Sequence, residues 1–182
     1  MKTQYYTASS LDGFIADADN SLDWLMQFGD PEQTDYPAFI AEVGAIAMGA
    51  TTYRWLWEHA IGPDAPKREP WPYEQPTWVF THRGLPVVEG ADVRLVSGDV
   101  RPVHAEMARV AGGKNVWVCG GGELAGQFYD AGLLDEVLVT FAPVTLGGGA
   151  PLLPRRIATP GLRLVGVAQY GAFASLRYEV RR

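Results

Sequence analysis

Along most of this chain, short runs dense in apolar and β-branched residues alternate with segments of helical spacing. KTQYYTASS, near the start, reads as a strand. LDGFIADADNSLDW then mixes Gly, Asp, Asn and Ser with apolar residues and reads as a loop, with one short strand at Phe14–Ala16. YPAFIAEVG predicts a short helix stopped at Gly44. AIAMGA is a buried strand, running into the helix TTYRWLWEHA, whose opening threonines are placed to cap its free amides. PTWVFTHR and ADVRLVSG are the next strands, VRPVHAEMARVAG a helix ending at a glycine pair, NVWVCGG a strand and GELAGQFYDAG a helix. LLDEVLVTFAPVTLG holds a long strand, and LRLVGVAQYGAFASLRYEV reads as an antiparallel pair turning near residues 170–171. One stretch breaks the rhythm. GPDAPKREPWPYEQ, residues 62–75, is loaded with Pro, Lys, Arg and Glu and predicts a surface excursion, either a lid or a contact between copies.

Strand and helix alternating, then strands alone, predict an α/β fold: a mostly parallel central sheet with helices on both faces and a C-terminal antiparallel hairpin at one edge. No linker interrupts the pattern, so residues 1–182 are expected to form a single domain.

Composition narrows the function. The chain is 47% hydrophobic and 20% charged, as globular domains are. No apolar run approaches the roughly 20 residues of a membrane span, and MKTQYYTASS lacks the apolar segment of a secretory signal, which predicts a cytoplasmic protein. A net charge of −6 argues against nucleic-acid binding. The single cysteine, Cys119, excludes an internal disulfide or a multi-cysteine metal cluster, and His59, His82 and His104 show no metal-ligand spacing.

In an open parallel sheet, ligands gather beyond the carboxyl ends of the strands. Three junctions there share a character. AIAM enters GATTY and VWVC enters GGGEL, each with glycine at the strand end and a helix beginning, while TWVF enters Thr81, His82 and Arg83. Glycine in an element interior costs roughly 0.5–1 kcal/mol relative to alanine, so the triplet at 120–122 marks a demand on the backbone. That demand is either a tight turn or the close approach of a ligand such as a phosphate. Guanidinium suits a phosphate monoester. Together the junctions suggest one dinucleotide lying across several strands, although the G-x-G-x-x-G spacing is absent.

YTASSLDGFIA, AMGATTYRW and VWVCGGGELAGQFYDAGLLDEVLVTFAPVTLGGGAPLLP together resemble the dihydrofolate reductase-like proteins, in the branch containing the reductase domain of bacterial riboflavin biosynthesis. The resemblance runs over essentially the whole chain. It implies a dihydrofolate reductase-like fold, NADPH as cofactor and a homodimer. By position it sets Ala8, Ser10, Gly13, Ile15 and Ala16 against the nicotinamide, and Gly49, Thr51 and Thr52 on the pyrophosphate or adenosine side. Thr81, His82 and Arg83 face the 2′-phosphate, and Gly120, Gly121, Gly122, Glu123 and Leu124 cross the middle of the cofactor. Two positions depart. Ala50 replaces the basic residue common after the strand-end glycine, which shifts NADP preference onto Arg83, with Arg54 in reserve. Cys119 replaces the glutamate that riboflavin-type reductases carry before the paired glycines.

Hydride transfer to a C=N or carbonyl group needs a nearby proton source. Asp12 matches the acidic residue of the riboflavin-type reductases and is equally a turn residue ahead of Gly13. Asp23 follows the loop where dihydrofolate reductases keep a substrate carboxylate and equally caps a helix. Trp24, Phe28 and Trp55 are candidates to wall a flat substrate; helical spacing prevents Trp57 from sharing that face with Trp55. The reading is an NADPH-dependent oxidoreductase moving hydride to a small flat heterocycle, pterin-like or riboflavin-pathway pyrimidine-like. Its rival is a non-catalytic or regulatory NADP-binding protein on the same fold, for which the change at Cys119 speaks.

Overall fold

The structure, a computed structural model, describes residues 1–28, 34–158 and 161–181. Its elements in chain order are β1 (Thr3–Ser10), β2 (Phe14–Ala16), α1 (Asp23–Met26), α2 (Tyr36–Ala41), β3 (Val43–Gly49), α3 (Ala50–Leu56), β4 (Thr77–Phe80) and β5 (Val93–Val96). There follow α4 (Val100–Val110), β6 (Asn115–Gly120), α5 (Gly122–Asp130), β7 (Glu136–Ala142), β8 (Ala150–Pro151), β9 (Leu162–Tyr170) and β10 (Phe173–Val180). Eight strands form one sheet in the order β5-β4-β3-β6-β1-β7-β10-β9. The first six run parallel, and β10 and β9 add the antiparallel edge.

Both faces are covered, which is why the central strands read as unbroken apolar runs. Ala45, Ala47, Val116 and Val118 face a core built with Met107 of α4 and Leu124 and Phe128 of α5. The alternate residues Ile46, Met48 and Trp117 face the opposite core, with Phe39 of α2 and Tyr53 of α3. The sheet order changes direction around β3, β6 and β1, so the crevice expected of such a fold opens at their carboxyl ends.

Three local expectations are corrected. Gly44 does not stop α2, which ends before Glu42; it lies inside β3, where a Cβ would come within 2.5 Å of the Ala111 carbonyl oxygen at the end of α4. Thr51 and Thr52 do not cap α3. Gly49 is its N-cap and makes no side-chain bond, so both hydroxyls lie within the first turn. The excursion at 62–75 is mostly exposed, but Trp71 and Tyr73 fold back onto the core, Trp71 against Tyr53 (5.8 Å) and Tyr73 against Trp117 (5.5 Å).

β8 was not legible as a strand. It pairs with β2, drawing the segment after β7 against the turn after β1. Tyr5 secures this flap from below by donating its hydroxyl to the Leu152 carbonyl (2.8 Å).

Candidate functional site

A groove runs along the carboxyl ends of β4, β3, β6 and β1, and it has two hollows. The larger, about 450 Å³, lies between β2 and β8, the start of α3 and the loop into α5; Thr7, Ile15, Ala16, Asn20, Leu22, Trp55 and Cys119 wall it with Pro151 and Pro154. The smaller, about 270 Å³, is bordered by Gly49, Phe80, Thr81, His82, Ser97, Gly98, Leu124 and Gln127. Thr51, Gly121 and Glu123 line both, so the two form one elongated site.

The three glycines of the seam answer to different neighbours. A Cβ on Gly122 would meet the Pro151 carbonyl oxygen at 2.2 Å, and one on Gly120 would meet the Thr52 hydroxyl at 2.9 Å. These two are required by the protein's own packing. At Gly121 the backbone is extended (φ −91), and a Cβ would find only Ile15 at an ordinary 3.7 Å. The peptide bond from Gly120 to Gly121 is cis, while φ at Gly121 is one any residue adopts and no neighbour crowds a Cβ there. The bare backbone at Gly121 lines both hollows.

Glu123 enters the seam from the first turn of α5, but Arg155 grips both carboxylate oxygens (2.7 and 2.8 Å) and also bonds Asp130 (2.7 Å). That contact holds the Glu123 carboxyl below its ordinary range. Gly126 makes it possible, because a Cβ there would lie 2.5 Å from the guanidinium carbon. Among the described residues, the one carboxylate lining the groove is therefore held in an ion pair. Cys119 faces the larger hollow at the end of β6. Burial pushes its thiol up to about 12, so it is neutral, and the Tyr73 hydroxyl lies 3.8 Å from Sγ.

Asp12 behaves as a clasp. Its carboxylate accepts from the Ser10 hydroxyl (2.6 Å) and from the backbone amides of Leu146 and Gly147 (3.1 and 2.7 Å). These bonds, that from Ser10 first, hold it below the usual carboxylate range and so ionised. It is exposed and lies off both cavity walls. Gly13 adopts φ +87 in this turn, and Ser10 is buried beneath it, receiving the Phe14 amide (3.0 Å).

Ile15 and Ala16 line the larger hollow, and Ala8 follows Thr7 on β1 beside it. Thr81 and His82 border the smaller one, where the Thr81 hydroxyl receives the Arg83 amide (3.1 Å) and leaves the Arg83 side chain exposed. Asp23 is exposed on the first turn of α1 and lies off both walls. Trp24 is buried with an unpaired indole N–H; Phe28 meets Phe173 edge-on (5.3 Å). Of the three aromatic candidates, Trp55 alone walls the larger hollow, stacked on His59 (4.7 Å).

Sequence reading passed over Asn20, Ser97, Gly98 and Arg155. The first is marked by its left-handed backbone (φ 59). Ser97 and Gly98 follow β5 in LVSGDV, a fourth junction and the third with glycine after a strand, with Asp99 capping α4 by accepting from the Arg101 amide. Arg155 carries no local signal.

The sequence model of the RibD C-terminal domain family matches residues 2–174. The chain is 34% identical over 179 residues to the uncharacterized protein YwjB of Bacillus subtilis (strain 168), covering 97% of each. A solved structure described as a putative riboflavin biosynthesis protein from Shewanella sp. PV-4 is similar over the whole of both chains, at 27% identity and a TM-score of 0.81. Dihydrofolate reductase from Enterococcus faecalis, solved in complex with NADP(H), shares the fold at 16% identity and a TM-score of 0.65, over 100% of this chain and 97% of its own.

Proposed function

This chain belongs to the RibD C-terminal domain family, and from that premise we propose that it is an NADPH-dependent reductase of a small flat heterocycle, pterin-like or pyrimidine-like. It acts as a single domain, residues 1–182, in the cytoplasm. The observation that carries the reading is Gly121, a glycine on the wall of both hollows where no neighbour crowds a Cβ.

In this reading the dinucleotide lies along the groove. Its nicotinamide end is beside Ala8, Ser10, Gly13, Ile15 and Ala16, its middle crosses residues 120–124 with Gly49, Thr51 and Thr52 opposite, and its 2′-phosphate meets Thr81, His82 and Arg83. When bound, the reduced nicotinamide supplies a hydride to a carbon of the acceptor's C=N or C=O group, whose heteroatom takes up a proton. The chain supplies orientation and a water-poor wall. Arg155 keeps Glu123 from repelling the pyrophosphate. The proton comes from water, which Asp12, ionised and bonded to backbone amides, orients in this reading, and Asp23 is the second candidate for that role. Trp55 covers the acceptor ring, and Trp24 and Phe28 support that end of the groove.

The rival reading, a nucleotide-binding protein without turnover, is favoured by the neutral Cys119 thiol where a glutamate is expected. NADPH titration followed by tryptophan fluorescence, then loss of the reduced-nicotinamide absorbance with pyrimidine and pterin acceptors, separates the two. Saturable binding with turnover supports the reductase. Binding without turnover supports the rival, and absence of binding contradicts both.

The homodimer belongs to the same proposal. Edge strand β9, paired among the described residues with β10 alone, exposes Leu164, Val165 and Val167 (51%, 45% and 68%). Val167→Glu is expected to halve the mass seen by sedimentation; an unchanged mass contradicts this interface. No described helix is long and apolar enough to cross a membrane.

A further inference from the structure

Trp55 reaches the wall of the larger hollow from α3, and a second ring stands behind it. We propose that the exposed His59 is a positioning residue: it holds the Trp55 ring in place and so preforms the wall against which the nicotinamide end of the dinucleotide packs. The ligand half of this statement rests on the reductase reading above; the positioning half does not.

Two contacts tie His59 to Trp55. The rings stack with centroids 4.7 Å apart and planes 11° from parallel, the separation of a favourable aromatic pair. The Trp55 backbone carbonyl lies 2.9 Å from His59 Nδ1. A carbonyl oxygen only accepts, so Nδ1 carries the proton and donates it, and the bond keeps the imidazole where it stacks. Trp55 is half-buried and His59 exposed, and His59 lies off the walls of both hollows. Its influence on the ligand space therefore passes through the indole.

The backbone is shaped for this pairing. α3 runs straight into a π-helical turn, Trp57–Ile61, which contains His59. The turn closes when the Gly62 amide donates to the Trp57 carbonyl (2.8 Å), five residues back instead of four. A Cβ on Gly62 would come within 2.4 Å of that carbonyl oxygen, so closure needs glycine there. Four residues overshoot one turn of an α-helix. The wider turn takes up that excess and brings His59 back over Trp55. Such turns are rare in helices and frequent at functional sites. A ring held before the ligand arrives loses less freedom on binding, which strengthens the complex.

The test uses the full chain labelled with 5-fluorotryptophan, the Trp55 fluorine resonance being assigned through Trp55→Phe. In the ligand-free protein, His59→Ala is expected to shift and broaden that line, because the indole loses its stacked neighbour and samples several rotamers. His59→Phe, which keeps a flat ring, is expected to leave it sharp. NADPH and adenosine 2′,5′-bisphosphate, which carries the 2′-phosphate without a nicotinamide, are then titrated separately. His59→Ala is expected to weaken NADPH about fivefold and the bisphosphate by less than about twofold, and His59→Phe to return NADPH to within about twofold of the parent. A role in stability alone would not separate the two nucleotides. An unchanged Trp55 line in His59→Ala overturns the positioning. Equal losses for the two nucleotides, or no loss for either, overturn the link to the nicotinamide. Failure of the parent to bind either nucleotide overturns the reductase reading and the ligand half with it, while the fluorine line still decides whether His59 positions Trp55.

Discussion

The two hollows of the groove share Thr51, Gly121 and Glu123 and differ in most other respects. One is walled by Ile15, Leu22, Trp55 and Cys119, and the one carboxylate among its described lining residues is paired with Arg155. The other is bordered by Thr81, His82, Ser97 and Gly98, with the exposed Arg83 next along the chain and off its wall. The difference teaches that polarity here is divided along the length of the site. A ligand with a flat ring at one end and phosphate at the other has one orientation in it.

The seam is where the division is most easily broken. Gly122→Ala forces a Cβ to 2.2 Å from the Pro151 carbonyl, and with it the flap that closes the larger hollow. It is expected to cost about 3 kcal/mol of stability, measured by urea denaturation. Gly121→Ala sharpens the comparison, since the protein has room for that methyl. Its stability is expected to change by less than about 1 kcal/mol, while NADPH affinity falls at least tenfold. A Gly121 variant that binds NADPH normally contradicts the role given to that glycine.

Arg155→Ala releases Glu123 into the seam. NADPH binding is expected to weaken by about 1 kcal/mol and to become more salt-dependent, and adding Glu123→Gln restores most of it. The matching pH effect is smaller, because Glu123 is 64% exposed. Its folded pKa is depressed by Arg155, so the stability it contributes is present above the ordinary carboxylate range and is lost as pH falls through the folded value. Thermal denaturation between pH 3 and 6 should show a slightly shallower acid loss in Arg155→Ala than in the parent.

Much of the sheet was legible because its central strands are buried on both faces. AIAM and VWVC are apolar at every position and TWVF at all but Thr77, so these strands read as continuous runs. What escaped was set by contacts distant in sequence. Gly44 looks like a helix stop until α4 is laid against it, and β8 exists because β2 is there to pair with. The site divides in the same way. Gly49, Thr51, His82 and residues 120–124 announce themselves at strand ends, and the cavity walls contain them. The surroundings of Asp12 did not show in SLDG, since the amides of Leu146 and Gly147 lie more than 130 residues further along the chain. Arg155 likewise acts across the fold, from a loop to α5.

The central claim is that one dinucleotide spans both hollows with its 2′-phosphate at the polar end. Titration of the parent protein and of Arg83→Ala with NADPH and NADH, read by tryptophan fluorescence, tests it most directly. The account predicts that Arg83→Ala weakens NADPH by about 1.5–3 kcal/mol, tenfold or more, and leaves NADH nearly unchanged. Equal losses for the two nucleotides, or no loss for either, would contradict it.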